Sequence, residues 1–218
     1  KKSFKNWNGG VTEKLKFDKA AKTPSKTEVV TIPEKPSAEL FVGQFTGLKR
    51  ADADYIPFFI GNYTLGAGFA GRLMQTVRDN DGLTYNISSG LGGNIETGGY
   101  WFVNASFNPN LFQKGLDATM VQVDKWVKNG ITAEELENKK TNLIGSFKVG
   151  MSTTSGMART ILSFIERGLE PNYIDQYPKD IDKATLQQVN DVIKKYVKLD
   201  KMIIIKSGSL DKDGNPLK

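Results

Sequence analysis

The sequence predicts an α+β fold, an antiparallel sheet with helices packed on one face. Three observations predict it. The runs Thr84–Leu91 and Tyr100–Phe107 are joined by a glycine-punctuated turn and read as neighbouring strands. The second of them sets Trp101, Val103, Ala105 and Phe107 on one face and Asn104 and Ser106 on the other, the alternation of a half-buried antiparallel strand. The helical patterns are clustered and do not alternate singly with strands, giving the order β-α-α-β-β-α-α-α-α-β.

Residues 1–36 read as a lead-in or linker from a preceding domain. Phe4 and Trp7 suggest the end of a packed element, and Pro24, Pro33 and Pro36 disfavour helix, leaving an extended connector in which Val29–Ile32 can pair as a strand. Residues 37–210 read as a single domain, with 211–218 as a tail. A strand is expected at Ala38–Thr46. Asp52 or Asp54 then caps a helix carrying Tyr55, Ile56, Phe58, Phe59 and Tyr63, with Pro57 tolerated in its first turn and Gly66 as a left-handed cap. A second helix is expected from about Phe69 to Arg78, with Phe69, Leu73 and Val77 on one face.

After the two strands, Asn108-Pro109-Asn110 opens a helix that carries Phe112, Leu116, Met120, Val123 and Val127 and stops at Gly130. Thr132-x-x-Glu135 is a capping box for the next helix, with Leu136, Leu143 and Phe147 inward. Ser155 to Arg167 forms a third, ended by Gly168. A turn follows Pro171, and Thr185-x-x-Gln188 is a second capping box, leading Leu186, Val189, Ile193 and Tyr196. The four apolar residues Met202 to Ile205 read as a central strand buried on both faces.

Composition narrows the chemistry. A chain of 218 residues that is 39% hydrophobic can bury a sizeable core. No apolar run is long enough to cross a bilayer. The opening Lys1-Lys2-Ser3, without an initiator Met, reads as a mature form or an excised fragment. With no cysteine and no histidine, disulfides, thiolate sites, Ser-His-Asp chemistry and histidine zinc sites are all excluded. The net charge of +6 is spread among acids along helices, as in Glu134-Glu135-Leu136-Glu137-Asn138-Lys139-Lys140, and no basic cluster is interleaved with aromatics. Nucleic acid is therefore not an expected partner.

Gly66-x-Gly68-x-x-Gly71 matches a dinucleotide fingerprint, but the segment before it is helical in pattern and the next strand ends without an acid, Glu96 coming only after a turn. Helix punctuation and close packing are the expected uses of these glycines. Asp211-Lys212-Asp213-Gly214-Asn215 resembles the opening of a calcium loop that the chain never completes, so a solvated turn is expected. Glu134, Glu135 and Glu137 lie at a helix start, where acids favour the macrodipole. Arg78 and Tyr85 remain. The guanidinium of Arg78 can fork onto a carbonyl or a carboxylate, and the phenol of Tyr85 can donate to a carbonyl or an oxyanion. Equally, Arg78 can cap its helix and Tyr85 can be a half-buried strand aromatic. Spacing alone favours these structural roles.

The segment as a whole changes the balance. Gly71-Arg72-Leu73-Met74 followed by Val77-Arg78-Asp79-Asn80-Asp81-Gly82-Leu83-Thr84-Tyr85 resembles the C-terminal domain of the pitrilysin/insulinase-type zinc metallopeptidases, the group of the mitochondrial processing peptidase. That family shows a pattern of the kind R-L-x-x-x-[IV]-R-[ED]-x-x-G-L-[AT]-Y. Further likeness runs through Gly130-Ile131-Thr132-x-Glu134-Glu135-Leu136-x-x-x-Lys140, Gly168-Leu169 with Tyr173, Val189, Lys195-Tyr196 and Met202–Ile205, and includes Phe4-x-x-Trp7 in the lead-in. It covers nearly the whole chain and is most specific at its centre.

The resemblance implies a metallopeptidase-half fold and a division of labour. In the family a catalytic N-terminal domain carries an inverted H-x-x-E-H zinc motif, and a second, metal-free domain closes over it like a clamshell. An Arg and a Tyr of the second domain reach into the shared chamber, the Arg holding substrate backbone and the Tyr orienting the carbonyl or stabilising the oxyanion. By position these are Arg78 and Tyr85. Without histidine this chain is not the zinc-binding half. The expected partners are a zinc-bearing domain or subunit and an unstructured peptide substrate, with zinc in the partner and no cofactor in this chain. An inert structural or assembly subunit of the same fold is the alternative. Bacterial relatives of this kind are often exported, which points to a periplasmic setting.

Overall fold

The computed structural model describes Ser3, Lys5, Asn6 and residues 8–10, 24–95 and 97–217. The expectations for Phe4 and Trp7, and for Glu96, lie outside the described residues. Among the described residues five strands form one sheet: β1 (Lys26–Thr31), β2 (Ala38–Phe45), β3 (Thr84–Gly92), β4 (Tyr100–Phe107) and β5 (Ile203–Gly208), in the order β1-β5-β2-β4-β3. The mixed α+β architecture follows the expectation. The antiparallel expectation holds for three of the four pairings, while β1 runs parallel to β5 at the sheet edge. β1 lies within the stretch expected to be a connector. Val29, the one residue of the strand that is not exposed, packs against the core, and the rest of this edge strand faces solvent.

β4 keeps its expected alternation: Trp101, Val103, Ala105 and Phe107 are all buried. Directly paired residues of antiparallel strands share a face, so Leu40 and Val42 of β2 join them on the helix side. The other side carries Phe41 stacked on Phe102, with ring centroids 5.3 Å apart. β5 is interior to the sheet, as expected, but it is not buried on both faces. Ile203 and Ile205 pair with Gly43 and Phe41 on the open side and stay half-buried.

Among the described residues six α-helices accompany the sheet: α1 (Tyr55–Leu65), α2 (Phe112–Asn129), α3 (Ala133–Gly150), α4 (Thr154–Ile165), α5 (Tyr173–Lys183) and α6 (Leu186–Tyr196). The core sits between α1, α2, α6 and the sheet. Trp101 stacks on Trp126 at 5.7 Å, and each indole N–H finds an acceptor: Asn62 Oδ1 at 2.9 Å and Gly61 O at 3.0 Å. Burial supplies most of the stability of such a pair, and the satisfied N–H groups remove the cost of burying it.

Both capping boxes form as expected, Thr132 with Glu135 and Thr185 with Gln188. Asp54 occupies the N-cap of α1 but does not cap it. Its carboxylate instead accepts Lys195 Nζ at 2.6 Å and Tyr196 Oη at 2.9 Å, tying α1 to α6. α5 goes beyond the elements expected from the sequence, which reads only a turn between Pro171 and Thr185. Pro178 nevertheless lies inside the helix. Tyr173, Tyr177 and Ile181, four apart, turn one face inward, and this packing offsets the lost backbone bond.

Candidate functional site

The site is built at the junction of the second helix and β3. That helix starts later than expected. Phe69 lies outside it and is 83% exposed, while Leu73 and Val77 are fully buried. The residues before it form a compressed loop. Gly66 has φ −171°, so it is not the left-handed cap expected of it. Its small size matters instead. A Cβ on Gly71 would lie 2.8 Å from Gly66 Cα, and one on Gly66 would lie 3.0 Å from the backbone nitrogen of Ser89. The Gly66 carbonyl accepts from Ser89 N at 3.0 Å, and the N–H groups of Gly66, Ala67 and Gly71 are bonded within the loop and helix end. These donors are spent, and a helix precedes them, so a phosphate cradle does not form.

Two side chains of α3 pin the start of the helix. Arg72 makes a bidentate pair with Glu135, Nε to Oε1 at 2.7 Å and Nη2 to Oε2 at 2.6 Å, and Lys139 Nζ donates to Ala70 O at 2.8 Å. Glu135 thus serves both the capping box and the ion pair. Burial works against its charge, but the bonds from Arg72 and Thr132 outweigh that and leave its pKa below the usual carboxylate value. Burial lowers the pKa of the Lys139 ammonium, with Glu135 pulling the other way.

From Met74 to Asn80 the helix widens into π geometry. Its end is closed by Asp81 N to Thr76 O at 2.9 Å, Gly82 N to Arg78 O at 3.0 Å and Leu83 N to Val77 O at 3.0 Å. Gly82 supplies φ +63°, which L side chains rarely adopt. Single π turns inside helices recur at functional sites. Here the wide turn ends with Val77 buried and Arg78 half-exposed beside it.

Arg78 does not cap the helix with its side chain. Nη1 rests 3.5 Å from Met74 Sδ, and Nε is 3.9 Å from Asp79 Oδ1, the outer limit of an ion pair. Tyr85 is not a half-buried strand aromatic either. The β3–β4 ladder pairs Thr84 with Phe107 and Asn86 with Ser106, so Tyr85 is the extra residue of a β-bulge. Thr84 Oγ1 clamps the bulge, accepting Asn86 N at 3.1 Å and donating to Ser106 O. Bulges re-aim a side chain, and Tyr85 is 94% exposed.

Arg78 and Tyr85 line one open cleft of about 480 Å³, together with Asp79, Leu83, Ser106 and Asn108. The arrangement offers a planar cationic fork and a phenol donor to an extended chain, with the edge of β3 beside them. Ser106 and Asn108 line the same cleft and are not singled out by the sequence motifs. Ser106 stands on the polar side of the β4 alternation, and that is the one signal available for it.

The other motifs resolve as expected. Glu134 and Glu135 sit in the first turn of α3. Asp211 Oδ1 accepts the N–H groups of Asp213 and Asn215, a self-contained turn. Among the described residues no three His, Cys, Asp or Glu side chains gather to hold a metal, and no helix is long and apolar enough to cross a membrane.

Residues 1–143 match the family model for the peptidase M16 inactive domain. A crystal structure of a peptidase M16 inactive domain from Pseudomonas fluorescens superimposes with a TM-score of 0.80 at 25% identity, over 94% of this chain and 48% of that one. Among curated proteins, the chain is 27% identical over 191 residues to an uncharacterized zinc protease YmxG of Bacillus subtilis, covering 87% of this chain and 46% of that protein. It is 25% identical over 176 residues to a non-peptidase homolog YmxG of Helicobacter pylori, covering 80% of this chain and 40% of that protein. The chain spans less than half the length of these two relatives.

Proposed function

The chain belongs to the peptidase M16 family as an inactive domain, and from that premise we propose that it is the substrate-gripping half of a zinc metallopeptidase. The proposed partner is a zinc-bearing domain or subunit of the same family, and the proposed substrate is an unstructured polypeptide. Zinc belongs to the partner, since this chain holds neither histidine nor cysteine to bind it. The gripping unit in this reading is the domain of residues 37–210 with β1 of the lead-in added at its sheet edge.

The observation that carries the proposal is the pairing of Arg78 with a bulge-presented Tyr85 across one cleft. A buried tyrosine would be explained by packing. One that is almost fully exposed, on a bulge clamped by Thr84, is not. Arg78 would fork onto a substrate carbonyl and so fix the register of the extended chain. The Tyr85 phenol would donate to the carbonyl under attack, where a hydrogen bond gains strength as negative charge develops on oxygen. The general base and the zinc-activated water belong to the other half.

The test is peptide cleavage by the full protein or complex containing this chain. Arg78→Ala and Tyr85→Phe are expected to lower kcat/KM by roughly 100- to 1000-fold, the scale of losing one transition-state donor, with zinc content unchanged. Wild-type turnover in both variants would refute the assigned roles.

A second reading has its own support. The Helicobacter pylori relative is named a non-peptidase homolog, which favours a structural or assembly role with the fold retained and the chemistry lost. The sequence of the partner half separates the two. An H-x-x-E-H motif there is required by the first reading, and its absence supports the second.

A further inference from the structure

The chain is sparing with arginine: five of its thirty basic residues are Arg. Two of the five are committed to carboxylates, Arg72 to Glu135 and Arg78 loosely to Asp79. The remaining three, Arg50, Arg159 and Arg167, come from the loop before α1, from α4 and from the turn after α4. They line a single pocket of about 350 Å³ whose apolar wall is Phe147, Phe164 and Tyr177. Among the described residues none of the three has a carboxylate oxygen within 4.0 Å. The six ion pairs there involve other groups.

Clustering like charges on an aromatic wall costs free energy unless something compensates it. Burial first, and then the neighbouring charge of Arg50, pull the Arg167 pKa below its ordinary value. Arg50 is held in place: its Cζ lies 4.9 Å over the Tyr55 ring and its backbone N–H donates to Asn94 O at 2.8 Å. The wall is ordered as well, with Phe147 and Tyr177 centroids 4.9 Å apart and Phe164 and Tyr177 5.9 Å apart. Guanidinium forks match tetrahedral oxyanions by paired N–H donation, and Arg is the residue that does this best.

We propose that Arg50, Arg159 and Arg167 form a binding site for a phosphate-type dianion, with the Phe147, Phe164 and Tyr177 wall receiving whatever apolar group carries it. The pocket shares no lining residue with the Arg78–Tyr85 cleft, so the proposal stands apart from the peptidase reading. Three positive charges face the ligand, and its affinity falls with ionic strength.

The test is calorimetric titration of the 218-residue chain at low salt with inorganic phosphate and, separately, with phenyl phosphate. Both ligands are expected to bind, phenyl phosphate more tightly because its ring reaches the aromatic wall. Equal affinity for the two would remove the wall from the proposal. Arg159→Gln, at an exposed position that leaves the core untouched, is expected to weaken both by roughly tenfold, the scale of one charge-assisted bond. Lys114→Gln removes the same charge from an exposed position on α2 and should leave binding unchanged. Absence of binding by both ligands at about 10 mM, weaker than any affinity a built site would show, overturns the site. So does equal loss in Arg159→Gln and Lys114→Gln.

Discussion

Arg72 and Glu135, 63 residues apart, are joined by two parallel hydrogen bonds of 2.7 and 2.6 Å, and this pair sets where the Arg78 helix begins. Its energetic and functional effects can be separated. Glu135→Gln keeps the capping geometry but loses the charge. About 1–2 kcal/mol of stability should be lost, less than for a fully buried pair because both side chains keep some solvent contact. The Glu135 pKa is lower folded than unfolded. Its contribution is therefore present above the ordinary value of 4.5 and disappears as pH falls through the folded value. Denaturant midpoints measured from pH 7 down to acid should converge for wild type and Glu135→Gln at the acid end. Parallel curves would show that the pair contributes no pH-dependent stability.

Thr84→Val tests the bulge. The substitution keeps shape and removes the hydroxyl that accepts Asn86 N and donates to Ser106 O. We expect a loss of about 1–2 kcal/mol, faster hydrogen exchange at Asn86, and reduced peptide cleavage in the complete protein although Tyr85 itself is intact. Normal exchange at Asn86 would mean that the ladder alone holds the bulge.

Tyr85→Phe should leave stability within about 0.5 kcal/mol of wild type, because the side chain is solvent-exposed and makes no hydrogen bond among the described residues. Thermal melts check this. A large drop in Tm would expose a structural role and weaken the reading of its activity effect.

Two glycines should respond with opposite sign. At Gly71 an added methyl meets the Gly66 backbone at 2.8 Å and Gly68 O at 3.0 Å, atoms that cannot rotate away, so Gly71→Ala should cost about 1–3 kcal/mol. Gly145 lies within α3, and a methyl added there has nothing within 4 Å, so Gly145→Ala should gain about 0.5–1 kcal/mol. Urea midpoints of the two variants test the pair.

Much of the fold is legible in the sequence because it obeys local rules. The alternation from Tyr100 to Phe107 and the two capping boxes depend on residues a few positions apart, and they form as expected. What escapes depends on geometry that local patterns do not encode. A π turn has no sequence period of its own, so the pattern from Phe69 predicts a helix of regular pitch. The bulge at Tyr85 emerges only when β4 is laid beside β3. The Arg72–Glu135 pair spans two helices that packing alone brings together. α5 is hidden by Pro178, because a breaker outweighs a four-residue aromatic spacing when the partners Phe147 and Phe164 are unknown. At the site, the residue types point to Arg78 and Tyr85 through family likeness. The exposure that makes Tyr85 chemically available is visible only in the structure.

The strand order β1-β5-β2 has a consequence for how the molecule comes to be folded. β5 leaves a ribosome after β1, β2, β3 and β4, yet its place is between β1 and β2. Until residues 203–208 arrive, β1 has no neighbour in the sheet and β2 offers an open edge carrying Phe41. The sheet can thus be sealed only after residues 203–208 have emerged. Contacts so distant in sequence slow folding and lengthen exposure of pairing edges. A chain ending before Ile203 would therefore lose two strand pairings at once, and its open β2 edge would make it prone to aggregation.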